Sequence, residues 1–325
     1  MFNFSLDKTV KSDVFDSVLK WDVLIIGAGP GGMNAALYAK RKGLVVGILT
    51  KETGGQLHNT TAVDNYLGFS LIRGDDLADN FMEHMNSLEI PIKVGVFVES
   101  IEKQGNDFFI KTNDLKTLQA KTIVLSTGGA PRKLDIPGEK EFSNRGVTYC
   151  ATCDGPFFKD KHVVIAGGGN SAAEAVLDMV PFASKISVVH RSKWRADQIL
   201  LDKLKDISNL NILLETQILE VKGNDFMEEI VVLDKKTNVK SIIKAEGLLV
   251  EIGTIPNSQL VKDLVELNER QEVIVDNSQQ TSLEGLFAVG DVTNQPYKQI
   301  IISAAEGAKA ALAINHYINH KYRGE

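Results

Sequence analysis

A pattern that occurs twice constrains this chain more than anything else in it. Trp21-Asp22-Val23-Leu24-Ile25-Ile26 is a short, nearly continuous apolar run, as expected for a strand buried on both faces of a parallel sheet. It leads into Gly27-Ala28-Gly29-Pro30-Gly31-Gly32, then a helical stretch from Met33 to Lys42 and a second strand from Leu44 to Leu49. In this order of strand, G-x-G-x-x-G, helix and strand, Gly27 allows the tight turn and Gly29 lets the backbone approach a pyrophosphate. Gly32 lets helix and strand pack closely. The helix N-terminus offers its unpaired N–H groups to the phosphates. Glu52 follows the second strand, where a carboxylate can bind ribose hydroxyls.

The pattern returns at Lys161-His162-Val163-Val164-Ile165-Ala166. Gly167-Gly168-Gly169-Asn170-Ser171-Ala172 fits G-x-G-x-x-A, Ala173 to Met179 reads as a helix, and Lys185 to Val189 as the next strand. No acid follows this strand. The residues are His190-Arg191-Ser192-Lys193-Trp194-Arg195, and cations there suit a 2′-phosphate, hence NADP(H). A solvated basic face would look the same over so short a run. The expected fold is α/β with two Rossmann-like dinucleotide-binding domains, which 325 residues can accommodate.

Between the two patterns lies Tyr149-Cys150-Ala151-Thr152-Cys153-Asp154-Gly155-Pro156-Phe157-Phe158, which holds both cysteines of the chain. A pair at this spacing can close a small disulfide ring, and strained or exposed bridges are more reducible than structural ones. Asp154 adds a proton donor and acceptor beside the sulfurs, which exchange needs when a thiolate leaves or is regenerated. Two other readings compete. A zinc site would need two more N or S ligands, but there is no third cysteine. Of the histidines (His58, His84, His162, His190, His316, His320), none forms an H-x3–5-H pair near the motif. His316 and His320 have suitable mutual spacing but sit in the last helix and its tail, so no metal is expected. An inert pair of thiols is the other alternative.

Hydrophobic content of 43% with 24% charged residues is ordinary globular composition. A net charge of −6 argues against a nucleic-acid partner. Residues 1–20 mix Asp7, Asp13 and Asp16 with short apolar runs, unlike a signal peptide, and no stretch approaches the ~18 apolar residues of a membrane span. A cytoplasmic protein is expected. Elsewhere, Leu77, Phe81, Met85 and Leu88 predict a helix over 75–88, residues 90–125 alternate like antiparallel strands, and 209–252 read as further strands. Pro131, Pro137 and Gly138 mark a crossing between domains. Thr281 to Asp291 reads as a strand ending in Gly290-Asp291, where a carboxylate can meet a polyol. A final helix is expected from about Gln299 to Ile318.

From Trp21 to that helix the sequence resembles the low-molecular-weight thioredoxin reductases of bacteria and archaea. The resemblance rests on the first glycine turn, Gly54-Gly55-Gln56-Leu57, the Cys-Ala-Thr-Cys-Asp-Gly run at 150–155, the second glycine turn and Gly290-Asp291. It implies FAD in the first fold, at Gly27, Gly29, Pro30, Gly31, Gly32, Glu52, Gly55, Gln56 and Leu57, with Asn65, Gly128, Gly290, Asp291, Gln299 and Ile300. It implies NADPH, with NADH possible, at Gly167, Gly169, Asn170, Ser171, Ala172, His190, Arg191 and Arg195. The implied FAD domain is discontinuous (21–130 and 256–325), with the nucleotide domain (131–255) and its cysteines inserted, after an extension at 1–20. A homodimer is also implied, as is rotation of one domain against the other about connections at Pro131–Gly138 and Gly253–Asn257. Hydride would pass from nicotinamide to FAD and then to the disulfide. Cys153 would face the flavin, Cys150 would attack a thioredoxin-like partner, and Asp154 would handle protons.

Two departures stand out. The family's phosphate-binding pattern is His-Arg-Arg-x-x-x-Arg, and Ser192 replaces its second arginine. Arg195 to Leu200 and Pro296 to Ile302 look like the flavoprotein subunit of alkyl hydroperoxide reductase, which often prefers NADH and carries an extra N-terminal thioredoxin-like region. Residues 1–20 are too short for such a region, so a separate small dithiol protein is expected as acceptor. A peroxiredoxin or glutaredoxin-like partner is the first alternative and a low-turnover flavin redox sensor the second. Electron supply from ferredoxin is disfavoured by the intact second glycine turn.

Overall fold

A computed structural model describes residues 14–60 and 63–323. The chain forms two compact units, the first comprising the chain up to His58, Asp75–Gly129 and the chain from Pro256 onward. The second comprises Asn59–Gly74 and Ala130–Ile255. Most of the extension at 1–20 lies outside the described residues.

In the first unit, α1 (Val14–Ser17) precedes β1 (Trp21–Ala28), α2 (Pro30–Arg41), β2 (Val46–Thr53), α3 (Gly74–Ser87), β3 (Ile92–Val94), β4 (Val98–Gln104), β5 (Asp107–Thr112) and β6 (Thr117–Leu125). Strands β3, β2, β1 and β6 run parallel, and β4 and β5 extend the sheet as an antiparallel meander, in the order β3-β2-β1-β6-β5-β4. Only part of the expected antiparallel stretch at 90–125 is antiparallel, because β3 pairs with β2 in the parallel sense.

Beyond Asn59–Gly74, the second unit runs from β7 (Gly129–Pro131), which spans the boundary, through β8 (Val147–Thr148), α4 (Ala151–Asp154), β9 (His162–Ala166), α5 (Asn170–Met179), β10 (Lys185–His190), α6 (Gln198–Leu204) and β11 (Leu210–Leu214). An antiparallel sheet follows, made of β12 (Thr216–Gly223), β13 (Met227–Asp234) and β14 (Val239–Lys244). Then β15 (Gly247–Val250) completes a parallel sheet ordered β11-β10-β9-β15-β8. The chain returns through β16 (Thr254–Pro256), which pairs with β7, to β17 (Leu286–Ala288) beside β6 and the long α7 (Ile300–Ile318).

Alternation along β1 explains why its apolar run is continuous. Trp21, Leu24 and Ile26 join one buried cluster, with Phe108 and Leu286, while Val23, Ile25 and Ala28 join another on the opposite face with Met33, Ala36 and Ala39 of α2. A strand covered on both faces needs no polar side. Phe15 of the extension packs on Trp21 with ring centroids 4.9 Å apart, so this part of the N-terminal segment lies on the body of the unit. Both glycine-turn helices start earlier than their apolar spacing suggests, at Pro30 and Asn170. Pro30 is suited to the first helical position, where its fixed φ fits and no N–H partner is lost. Glu52 falls inside β2 rather than after it.

Helices α2 and α7 approach at Gly307, where an added Cβ would stand 2.1 Å from the Gly31 carbonyl oxygen. Backbone cannot yield as a side-chain tip can. Gly307→Ala is expected to destabilise the first unit by about 1–3 kcal/mol, read from urea titration. An unchanged midpoint would contradict this account of the helix contact.

Candidate functional site

The two cysteines are bonded to each other, with Cα atoms 5.3 Å apart. Cys150 sits in an extended conformation (φ −142°) as N-cap of α4, and its sulfur accepts from the Cys153 N–H at 3.2 Å. Neighbouring side chains anchor this short helix. Ala151 and Phe158 are buried in the core of the second unit, and the Thr152 hydroxyl donates to Asp178 on α5 at 3.0 Å. Both sulfur-bearing residues remain partly exposed, as exchange with another protein requires.

Asp154 accepts a hydrogen bond from the Thr148 hydroxyl on β8. The Cys150 N–H also points to that hydroxyl oxygen, at 3.4 Å, so Thr148 ties acid and cysteine together. Burial pushes the Asp154 carboxyl above the usual carboxylate range, Thr148 opposes the rise, and the Asp64 charge adds to it. A second acid belongs to the same neighbourhood. Glu251, just past β15, is pushed up to about 7 by burial, with the Ala151 N–H opposing and the Asp178 and Glu174 charges adding. Sequence reasoning missed Thr148 and Glu251. The available signal for Glu251 was an acid directly after Leu248-Leu249-Val250, at the carboxyl end of a parallel strand, where open α/β sheets place ligands.

In the first unit, Gly27 has φ +106° and an added Cβ would stand 2.2 Å from the Ser126 carbonyl oxygen, so only glycine fits. Gly29 faces open space and is the N-cap of α2, which has no side-chain cap. Pro30, Gly31 and Gly32 form the first turn of that helix. Gly55, Gln56 and Leu57 form a short 3-10 turn. From it Gln56 donates to Asp291 at 2.9 Å and to the Gly129 carbonyl at 3.0 Å, next to Gly128. Gly290 donates to the buried Glu306 carboxylate at 2.7 Å, and burial raises the Asp291 carboxyl. Gln299 is the N-cap of α7, which Ile300 opens, again without a side-chain cap. Glu52 is exposed on β2. A dinucleotide such as FAD fits this set, because uncapped helix N–H groups suit its phosphates and Asp291 suits its polyol. Asn65 lies in the 59–74 segment that clusters with the second unit.

In the second unit, Gly167, Gly168 and Gly169 link β9 to α5, which opens with Asn170, Ser171 and Ala172 and has no side-chain cap. An added Cβ on Gly168 would lie 2.2 Å from the His190 ring. His190 is therefore pressed on the turn, and burial, then the Arg195 and Arg191 charges, lowers its pKa. Its ring supports the turn by packing on the Gly168 backbone. The Arg195 N–H donates to the Gly168 carbonyl at 2.7 Å, and Asn170 and Asp197 exchange two hydrogen bonds of 2.8 Å. The basic loop is thereby pinned to the turn. Arg191 and Arg195 are both exposed.

The pyridine nucleotide-disulphide oxidoreductase model matches residues 21–309. The chain belongs to that family. Within it, an alkyl hydroperoxide reductase subunit of Staphylococcus aureus is 37% identical over 314 residues, covering 96% of this chain and 62% of that protein. The chain thus spans just under two thirds of the length of these relatives. Among solved structures, thioredoxin reductase from Streptococcus pyogenes superposes with a TM-score of 0.88 at 35% identity, covering 93% of this chain and 99% of that one. Thioredoxin reductase from T. acidophilum gives 0.64 at 36% identity, covering 92% and 99%. The fold of this chain is that of the thioredoxin reductases, as the sequence motifs imply.

Glu251 makes a testable contribution to stability. A carboxyl raised in the folded state from its ordinary value to about 7 favours folding fully at pH 4 and loses that contribution as pH rises to 7. Glu251→Gln should therefore be near neutral at pH 4 and stabilise the oxidised protein at pH 8 by up to about 3 kcal/mol. Denaturant melts at the two pH values check this, and equal effects at both would contradict it.

Proposed function

We propose that the chain is a thioredoxin-disulfide reductase that takes electrons from NADPH through FAD and delivers them to the disulfide of a small thioredoxin-like protein. The observation that carries the reading is the bonded, partly exposed Cys150–Cys153 pair beside the buried acid Asp154, in a unit that also holds a nucleotide turn. Bound FAD would supply two-electron transfer between nicotinamide and disulfide, which no side chain here can perform. The FAD residues of the first unit and the NADPH residues of the second are those named above, and their roles are part of the proposal.

The chain's own residues move sulfur and protons. Opening the Cys150–Cys153 bond consumes two electrons and leaves two sulfurs, one protonated. Cys150 as thiolate attacks one sulfur of the partner's disulfide, the partner's S–S bond breaks, and its other sulfur leaves and takes a proton. Cys153, once deprotonated, attacks the mixed disulfide at Cys150 and restores the intramolecular bond. The partner's second sulfur leaves and takes a second proton, supplied through Asp154, so that the partner departs as a dithiol. Asp154, held above the usual range by burial, keeps a proton available beside these sulfurs at higher pH than an exposed aspartate would. Thr148 orients it.

The likeness to alkyl hydroperoxide reductase favours one alternative acceptor, a peroxiredoxin or glutaredoxin-like protein. A homodimer is part of the proposed working form.

Cys150→Ser and Cys153→Ser are each expected to abolish reduction of a thioredoxin-type substrate, while FAD stays bound and bleaches with NADPH. Retention of most activity in either variant would overturn the relay. Asp154→Asn preserves shape but not proton transfer and should slow turnover by roughly 10²-fold. Near-normal turnover would reduce Asp154 to a turn-forming residue.

A further inference from the structure

A hollow of about 410 Å³ at the end of β10 carries more positive charge than the loop after that strand supplies. Arg191, Ser192 and Lys193 line one part of it, and Glu215, Lys235 and Lys236 the rest. Backbone hydrogen bonds hold the three segments together. The Glu215 N–H donates to the Ser192 carbonyl at 3.4 Å, and the Lys235 N–H to the Glu215 carbonyl at 2.8 Å. The Lys235 ammonium donates to the Arg191 carbonyl at 3.2 Å.

The turn that carries the two lysines, between β13 and β14, is internally braced. Asp234 accepts from the Lys236 and Thr237 N–H groups at 2.8 and 3.0 Å. Asn238 closes the turn with φ +59°, a conformation that asparagine tolerates. The lysine backbone is thus positioned before any ligand arrives.

Two charges in the hollow cancel, because Lys236 pairs with Glu215 at 2.5 Å. The Ser192 hydroxyl is engaged with His190 Nε2 at 3.0 Å, so it cannot stand in freely for the arginine it replaces. Among the described residues, Arg191, Lys193 and Lys235 have no carboxylate partner in this hollow.

We propose that Lys235 completes the site for the 2′-phosphate of NADPH, supplying from the β13–β14 turn the charge that Ser192 lacks. This rests on the NADPH reading above. Glu215 works against it, since a carboxylate there repels a phosphate unless Lys236 masks it.

The test is calorimetric binding to the flavin-loaded full chain at low ionic strength, where exposed charges are least screened. The probes are adenosine 2′,5′-bisphosphate and adenosine 5′-monophosphate. The parent should bind the bisphosphate more tightly. Lys235→Ala should weaken it about 10-fold, the lower end of the range for a hydrogen bond to a charged group, and leave the monophosphate unchanged. Lys235→Arg should restore the difference and Glu215→Gln should enlarge it. If Lys235→Ala changes neither ligand, or weakens both equally, the proposal is overturned while the NADPH reading stands. A parent that binds both alike overturns the two together.

Discussion

Helices α2 and α5 each begin at the end of a parallel strand with no side chain to cap them, and much else in the chain follows from that. Their first-turn N–H groups lack the usual serine, threonine or aspartate partner. An uncapped helix start costs stability unless something negative is placed against it. The surrounding geometry keeps the space open. A Cβ added at Gly29 would meet nothing within 4 Å, whereas Gly27 and Gly168 are pressed so closely on backbone or ring that a Cβ cannot enter. The glycines therefore bring strand, turn and helix together while leaving the N–H groups without a side-chain partner.

The cysteine pair shows the opposite device. α4 is capped by its own cysteine, and the nearby acids are withdrawn from water. Burial holds Asp154 and Glu251 above their ordinary ranges, which lowers the stability of the folded chain at neutral pH relative to acid. A protein has reason to keep such acids when a proton must be held beside a sulfur that alternates between bonded and ionised states. Thr148 makes the arrangement specific, because it bonds the acid and meets the cysteine backbone from one position on β8.

Features carried by local spacing were legible in the sequence. The two glycine turns, the cysteine pair and the acid after it each occupy consecutive residues, and chemistry at that spacing has few alternatives. Features assembled by tertiary contact were not. Lys235 and Lys236 lie in an ordinary Asp-Lys-Lys-Thr turn, and only strand pairing brings them beside Arg191. Ser192 read as a lost arginine, whereas its hydroxyl bonds the His190 ring that supports the turn. Glycine and proline obscure the apolar period at the true helix starts, and periodicity says nothing about pairing direction, so the parallel sense of β3 is invisible in the sequence.

The central claim is that electrons from NADPH open the Cys150–Cys153 bond. Excess NADPH added without oxygen to the flavin-loaded chain, followed by titration of reactive thiols, tests it most directly. Two new thiols per chain, absent before NADPH is added, are expected. Bleaching of the flavin with no gain in thiols would contradict it.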